Sequence, residues 1–147
     1  MLKEKLQQDV KDALKSGDSK KRMVLGMVLA AIKNKEIEKR SELSDDDVVA
    51  VIATEIKKRK DSIEQFEKGG RPELAEGERK EAEMLMVYMP EQMSEEDLRN
   101  EIDKTITETG IKDMKEMGKL IGAVMAKVKS KADGQVVSRI VKEELSK

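Results

Sequence analysis

The sequence predicts an all-α chain in two multihelical parts, an amino-terminal domain of about four helices over residues 1–90 and a three-helix carboxy-terminal domain over residues 91–147. Three observations carry this. Apolar residues recur at the helical period through almost every segment. Capped helix starts recur: Ser44 before Asp47, Ser94 before Asp97, and Asp113 before Glu116. No stretch alternates polar and apolar residues in the manner of a strand, and no internal repeat of fixed period is present.

Leu2, Leu6, Val10, Ala13 and Leu14 form the stripe of a first helix, which Gly17 stops and Asp18 or Ser19 restarts. The second helix is almost entirely apolar from Met23 to Ile32, which predicts burial on all sides at the centre of the first part. From Lys33 to Arg40 it turns polar, with Ile37 its lone apolar residue. The third, stapled at its start by Leu43 and Val48, points Val49, Ile52, Ile56, Ile63 and Phe66 inward. Its run Lys57-Lys58-Arg59-Lys60 reads as a solvated face with long aliphatic stems; a nucleic-acid contact is the alternative. Gly69-Gly70 closes it, and Pro72 opens a fourth helix that packs Leu74, Ala75, Ala82, Leu85, Met86 and Met89.

Beyond Pro90, the fifth helix turns Leu98, Ile102 and Ile106 inward and ends at Gly110. In the sixth, Met114, Met117, Leu120, Ile121, Val124, Met125 and Val128 share one side, at 100° per residue. Gly118, Gly122 and Ala126 recur every fourth residue on another, beside Lys115 and Lys119 and with Lys127 on the flank. Each interior glycine costs about 0.8–1.0 kcal/mol relative to alanine, so the stripe points to close approach by a phosphate chain or another helix. Asp133 caps the seventh helix, whose inner face is Val136, Val137, Ile140, Val141 and Leu145 and whose outer face carries Gln135, Arg139 and Lys142. Gly134 reads as a first-turn residue tolerated for packing.

Composition narrows the chemistry. The 147 residues are 41% charged and 37% hydrophobic, and 31 acids nearly cancel 30 bases. Any nucleic-acid affinity must therefore come from a local patch. Cysteine and histidine are absent, which removes disulfides, thiolate chemistry, the usual metal ligand and the usual general base. No catalytic, cofactor or metal residues are expected. Clustered acids such as Asp45-Asp46-Asp47 and Glu95-Glu96 lie in first helical turns, where they favour the helix dipole. The only aromatic residues are Phe66 and Tyr88, which disfavours reading of single-stranded bases by stacking. The amino terminus lacks the apolar run of a signal peptide, and Met23 to Ile32 is about half the length of a membrane span. A cytoplasmic protein without membrane contact is expected. Within the segment from 119 to 142, Lys119, Lys127, Lys129, Lys131, Arg139 and Lys142 have only Asp133 as counter-charge. The start of the seventh helix offers amides to an anion, although Asp133 occupies part of that site.

Three ordered stretches carry a resemblance: Lys57-Lys58-Arg59-Lys60-Asp61-Ser62-Ile63-Glu64-Gln65-Phe66, Tyr88-Met89-Pro90-Glu91-Gln92-Met93-Ser94-Glu95-Glu96, and the opening residues. With these the chain resembles the GatB/YqeY family, specifically the stand-alone YqeY-like proteins, over almost its whole length. The resemblance implies an all-helical protein whose last three helices are similar to the tail of the B subunit of the amidotransferase that converts Glu-tRNA(Gln) or Asp-tRNA(Asn). It implies tRNA as partner, with contacts at Lys119, Gly122, Lys127, Lys129 and Lys131, which Arg139 and Lys142 extend. The family often has proline where Ala126 stands and glycine where Ser130 stands. The function expected first is a non-catalytic tRNA-binding accessory module. The alternative is an adaptor that meets a translation-related protein through Gly118, Gly122 and Ala126. A carbon–nitrogen ligase follows from family association only.

Overall fold

Side-chain caps set the helix starts. Asp18, Ser44, Ser94 and Asp133 each accept a hydrogen bond from a first-turn amide, of Lys21, Asp47, Asp97 and Gln135. Gly17 and Gly110 close two helices in the left-handed conformation, at φ +79° and +72°. A computed structural model describes residues 1–147 and contains seven α-helices and no strand. They are α1 (Leu2–Ser16), α2 (Ser19–Lys39), α3 (Asp45–Lys68), α4 (Pro72–Met86), α5 (Glu95–Thr109), α6 (Met117–Val128) and α7 (Gly134–Leu145). Short 3-10 turns cover Met114–Glu116 and Lys129–Lys131. The chain gathers into two compact units, Met1–Met89 and Pro90–Lys147. No helix is long and apolar enough to cross a membrane.

In the first unit α1 packs along α2, and α3 along α4. Leu6, Val24, Leu25, Val28, Ile32, Val48, Ile52, Ile56, Leu85 and Tyr88 form one buried cluster. Each fully buried leucine or isoleucine contributes about 1.5–3 kcal/mol of transfer free energy. The Tyr88 hydroxyl donates to the Asp9 carboxylate, and the Lys5 ammonium lies 5.6 Å from the ring centroid. Burial, then the Asp9 carboxylate, pushes the Tyr88 phenol well above its ordinary range, so this link keeps its proton through neutral pH.

Four details depart from the sequence expectation. The helix α2 is buried on one face only: Met23 and Met27 stand 55% and 50% exposed. Its neighbours α1, α3 and α4 leave one side to solvent. On α3, Val48 is buried while Val49, Ile63 and Phe66 are half-buried. On α4, Leu74 and Met86 are exposed, as is Met114 ahead of α6. Finally, Arg59 does not belong to a solvated run. It lies seven residues after Ile52 and three after Ile56, on the stripe those residues bury, and is only 5% exposed. Its guanidinium donates to the Glu55 carbonyl at 3.0 Å and meets the carboxylates of Glu55 and Glu81 at 3.5 and 3.6 Å. Its Nε has no partner.

In the second unit Leu98 and Ile102 of α5, Leu120, Val124 and Val128 of α6, and Val137, Ile140 and Val141 of α7 enclose one core with Ile111. Charges on the outside tie the start of α5 to the end of α7. Arg99 reaches Glu95, Glu143 and Glu144, and Arg139 reaches Glu95 and Glu143.

Candidate nucleic-acid interface

The apolar side of α6 turns inward because Leu120, Val124 and Val128 recur at four-residue intervals and are at most 3% exposed. The same rotation sends Gly118, Gly122 and Ala126 outward, and all three are exposed. A Cβ placed at Gly118 or Gly122 meets nothing within 4 Å. Packing inside the unit thus gives no reason for either glycine, and the same holds for Gly134, contrary to its expected packing role. Gly118 and Ala126 lie about 12 Å apart along the helix axis, at 1.5 Å per residue. Lys115 and Lys119 are exposed at one end of this strip, Lys129 and Lys131 at the other.

The seven residues singled out from sequence do not share one electrostatic state. Lys119, Lys131 and Lys142 are exposed and make no ion pair. Lys127 is held by α5: its ammonium lies 2.5 Å from Glu108, 3.6 Å from Glu101 and 3.2 Å from the Thr105 hydroxyl. Arg139 is held by Glu95 and Glu143, each at 3.1 Å. The expectation that Asp133 alone opposes these cations therefore fails for two of them. Counting charges along the segment cannot see acids that α5 brings across from other parts of the sequence. Asp133 itself accepts from the Gln135 amide at 2.7 Å, so its carboxylate fills the amide site at the start of α7.

The loop between α6 and α7 is fixed through its backbone. Gln92 Nε2 donates to the Ser130 carbonyl at 2.9 Å, and the Met93 amide donates to the Lys131 carbonyl at 2.8 Å. Lys129 adopts φ +49°, a region costing a non-glycine residue about 1–3 kcal/mol unless its surroundings hold it. The two bonds from Gln92 and Met93 supply that hold. Both residues lie in a stretch that carries the family resemblance, but this role was not read from it, since a contact 38 residues away leaves no local signal. With both carbonyls turned to these donors, what the loop offers a partner is its lysine side chains.

Acid should weaken this unit. Hydrogen bonds from Lys127, Arg139 and Arg99 hold Glu108, Glu95 and Glu143, respectively, below the ordinary glutamate value of 4.5. A carboxyl whose pKa falls on folding stabilises above its unfolded pKa, and that contribution is lost as pH drops through the folded value. Asp103 runs the other way, raised by proton sharing with Glu144, and is outnumbered. The thermal midpoint followed by circular dichroism should fall as pH drops below the ordinary glutamate value of 4.5, and Glu108→Gln should shallow the fall.

Comparison with known proteins places the chain. The profile of the YqeY-like proteins matches residues 3–145. The chain belongs to the YqeY-like family. Similar curated proteins include altered inheritance of mitochondria protein 41 of Eremothecium gossypii, 35% identical over 85 residues, which are 57% of this chain and 46% of that protein. The protein of the same name from Kluyveromyces lactis is 39% identical over 84 residues, 56% of this chain and 45% of its own. An uncharacterised protein of Schizosaccharomyces pombe is 35% identical over 83 residues, 56% of this chain and 68% of its own. The chain spans about half the length of the first two. The Eremothecium gossypii and Kluyveromyces lactis relatives are named as mitochondrial, which overturns the cytoplasmic expectation. That expectation rested on the lack of a secretory leader. A secretory leader reports one export route, and other compartments are addressed by different segments.

Proposed function

We propose that the second unit is a non-catalytic tRNA-binding module, and that the two units are an amino-terminal four-helix domain and a carboxy-terminal three-helix domain with separate duties. The observation that carries the reading is the open strip Gly118–Gly122–Ala126, with Lys119 and Lys131, exposed and without an ion pair, at its two ends. A phosphodiester backbone can lie against main chain there while Lys119, Lys131 and Lys142 take its charge. Lys127 and Arg139 act in this reading as struts between helices. With the aromatic residues Tyr88 buried and Phe66 half-buried, recognition is by shape and backbone.

Filter binding of tRNA at a series of salt concentrations tests it. Each phosphate contact contributes about −0.7 to −0.9 to the slope of log K against log salt. Three lysine contacts therefore give a slope of about −2 to −3. The triple variant Lys119→Ala, Lys131→Ala, Lys142→Ala should flatten the slope towards zero, and Lys127→Ala should change it little. Absence of binding at low salt removes the proposal. The same open strip also favours a second reading, an adaptor that receives a protein helix. In that case Gly122→Leu abolishes the contact while the lysine substitutions leave it intact.

A further inference from the structure

The helix α2 has two apolar faces, and the first unit uses one. Val24, Leu25, Val28 and Ile32 face the core at 0% exposure. On the opposite side Met23, Met27, Ala30, Asn34 and Ile37 are all exposed, Ile37 by 66%. Their spacing is four, three, four and three residues. This is the a/d register of a coiled-coil seam, with Met27 and Asn34 at a and Met23, Ala30 and Ile37 at d. A straight helix drifts only about 20° per heptad from this register, so the residues stay in one line, about 21 Å long at 1.5 Å per residue.

Lys33 occupies a flanking g position, Arg40 follows as the left-handed cap of the helix at φ +58°, and Lys20 and Arg22 stand at the head of the seam. None of these four cations makes an ion pair. Others on the same helix do: Lys35 meets Glu38 at 3.8 Å and Lys39 meets Asp47 at 3.5 Å. The seam is thus apolar along its centre, with four unpaired cations around it and Glu38, already met by Lys35, as the acid on its flank.

Three occupants are disfavoured on these grounds. A bilayer would have to take the Asn34 amide into hydrocarbon without a partner, and the strip is one side chain wide. A second copy in parallel register would let Lys33 answer Glu38, but would set Lys20, at an a position, against itself and leave Arg22 and Arg40 without an acid. A nucleic-acid backbone offers nothing to the methionines and Ile37. A facing helix with acids on its flanks meets every requirement: carboxylates for the four cations, an apolar ridge for adaptable methionines, and a polar residue opposite Asn34. A lone asparagine at an a position sets register in this way. We propose that the outer seam of α2 docks an acidic amphipathic helix of a partner protein, independently of any contact made by the second unit.

The test uses the full chain and two labelled peptides of about three heptads. Both carry leucine at a and d with asparagine at the central a position. One has glutamate at e and g, the other lysine. The acidic peptide should bind at least roughly tenfold more tightly than the basic one. Met27→Glu with Ile37→Glu should cost the acidic peptide about tenfold or more in affinity while helicity is unchanged. Lys33→Glu with Arg40→Glu should reverse the preference between peptides, a gain that misfolding cannot produce. Failure of the acidic peptide to bind, or indifference to both double variants, overturns the proposal. So does a dimer in sedimentation equilibrium that Ile37→Glu dissociates, which assigns the seam to a second copy. Binding to phosphatidylglycerol vesicles through Met27 that the acidic peptide does not compete away assigns it to a membrane and equally overturns the proposal.

Discussion

Arg59→Ala should cost the first unit about 3–5 kcal/mol, the range for breaking a buried ion pair by removing one partner. The cost arises because Glu55, 7% exposed, and Glu81 are left as inner carboxylates without the guanidinium between them. Lys58, 3.7 Å from Glu55, compensates part, which puts the expected value near the lower end. Urea unfolding measures the loss, and hydrogen exchange should locate it in α3 and α4, the helices joined by this arginine. Restoring volume without charge separates the causes. Arg59→Met alone should remain destabilised, whereas Arg59→Met with Glu55→Gln and Glu81→Gln should recover most of the deficit. If Arg59→Ala is neutral, the buried network has no weight.

Leu120→Ala should be as damaging to the second unit. Leu120 is 0% exposed in the core shared by α5, α6 and α7. Truncating a buried leucine costs about 2–5 kcal/mol through lost transfer energy and the cavity left behind. At about 0.05–0.15 kcal/mol per residue, a unit of this size holds roughly 3–9 kcal/mol in total. The substitution should therefore leave α5, α6 and α7 largely unprotected against hydrogen exchange at physiological temperature. Gly122→Ala, two residues further along the same helix but facing solvent, should leave protection intact or raise it. Equal effects from the two would mean that α6 is oriented differently.

The helical class and its punctuation were legible because caps and periodicity are local. Ser44 and Ser94 accept the bonds that their spacing from Asp47 and Asp97 announces. What was not legible came from longer range or from a competing rule. Arg59 sits among four consecutive bases, and composition outweighed its register with Ile52 and Ile56. The apolar run in α2 looked uniform, so that nothing local said which side its neighbours would leave open. Lys127 and Arg139 looked free because their acids, Glu101, Glu108 and Glu95, lie elsewhere in the chain and meet them only through helix packing. The open side of Gly118 and Gly122 was readable, since the opposite face of the same helix was plainly the core.

Those two glycines have a corollary. Alanine at either position fits the available space and would lengthen the lifetime of the helix. Helix stability is therefore not maximised at these two positions, and a library at 118 and 122 sorted first for folding and then for tRNA capture would show whether a demand at the surface of α6 favours glycine.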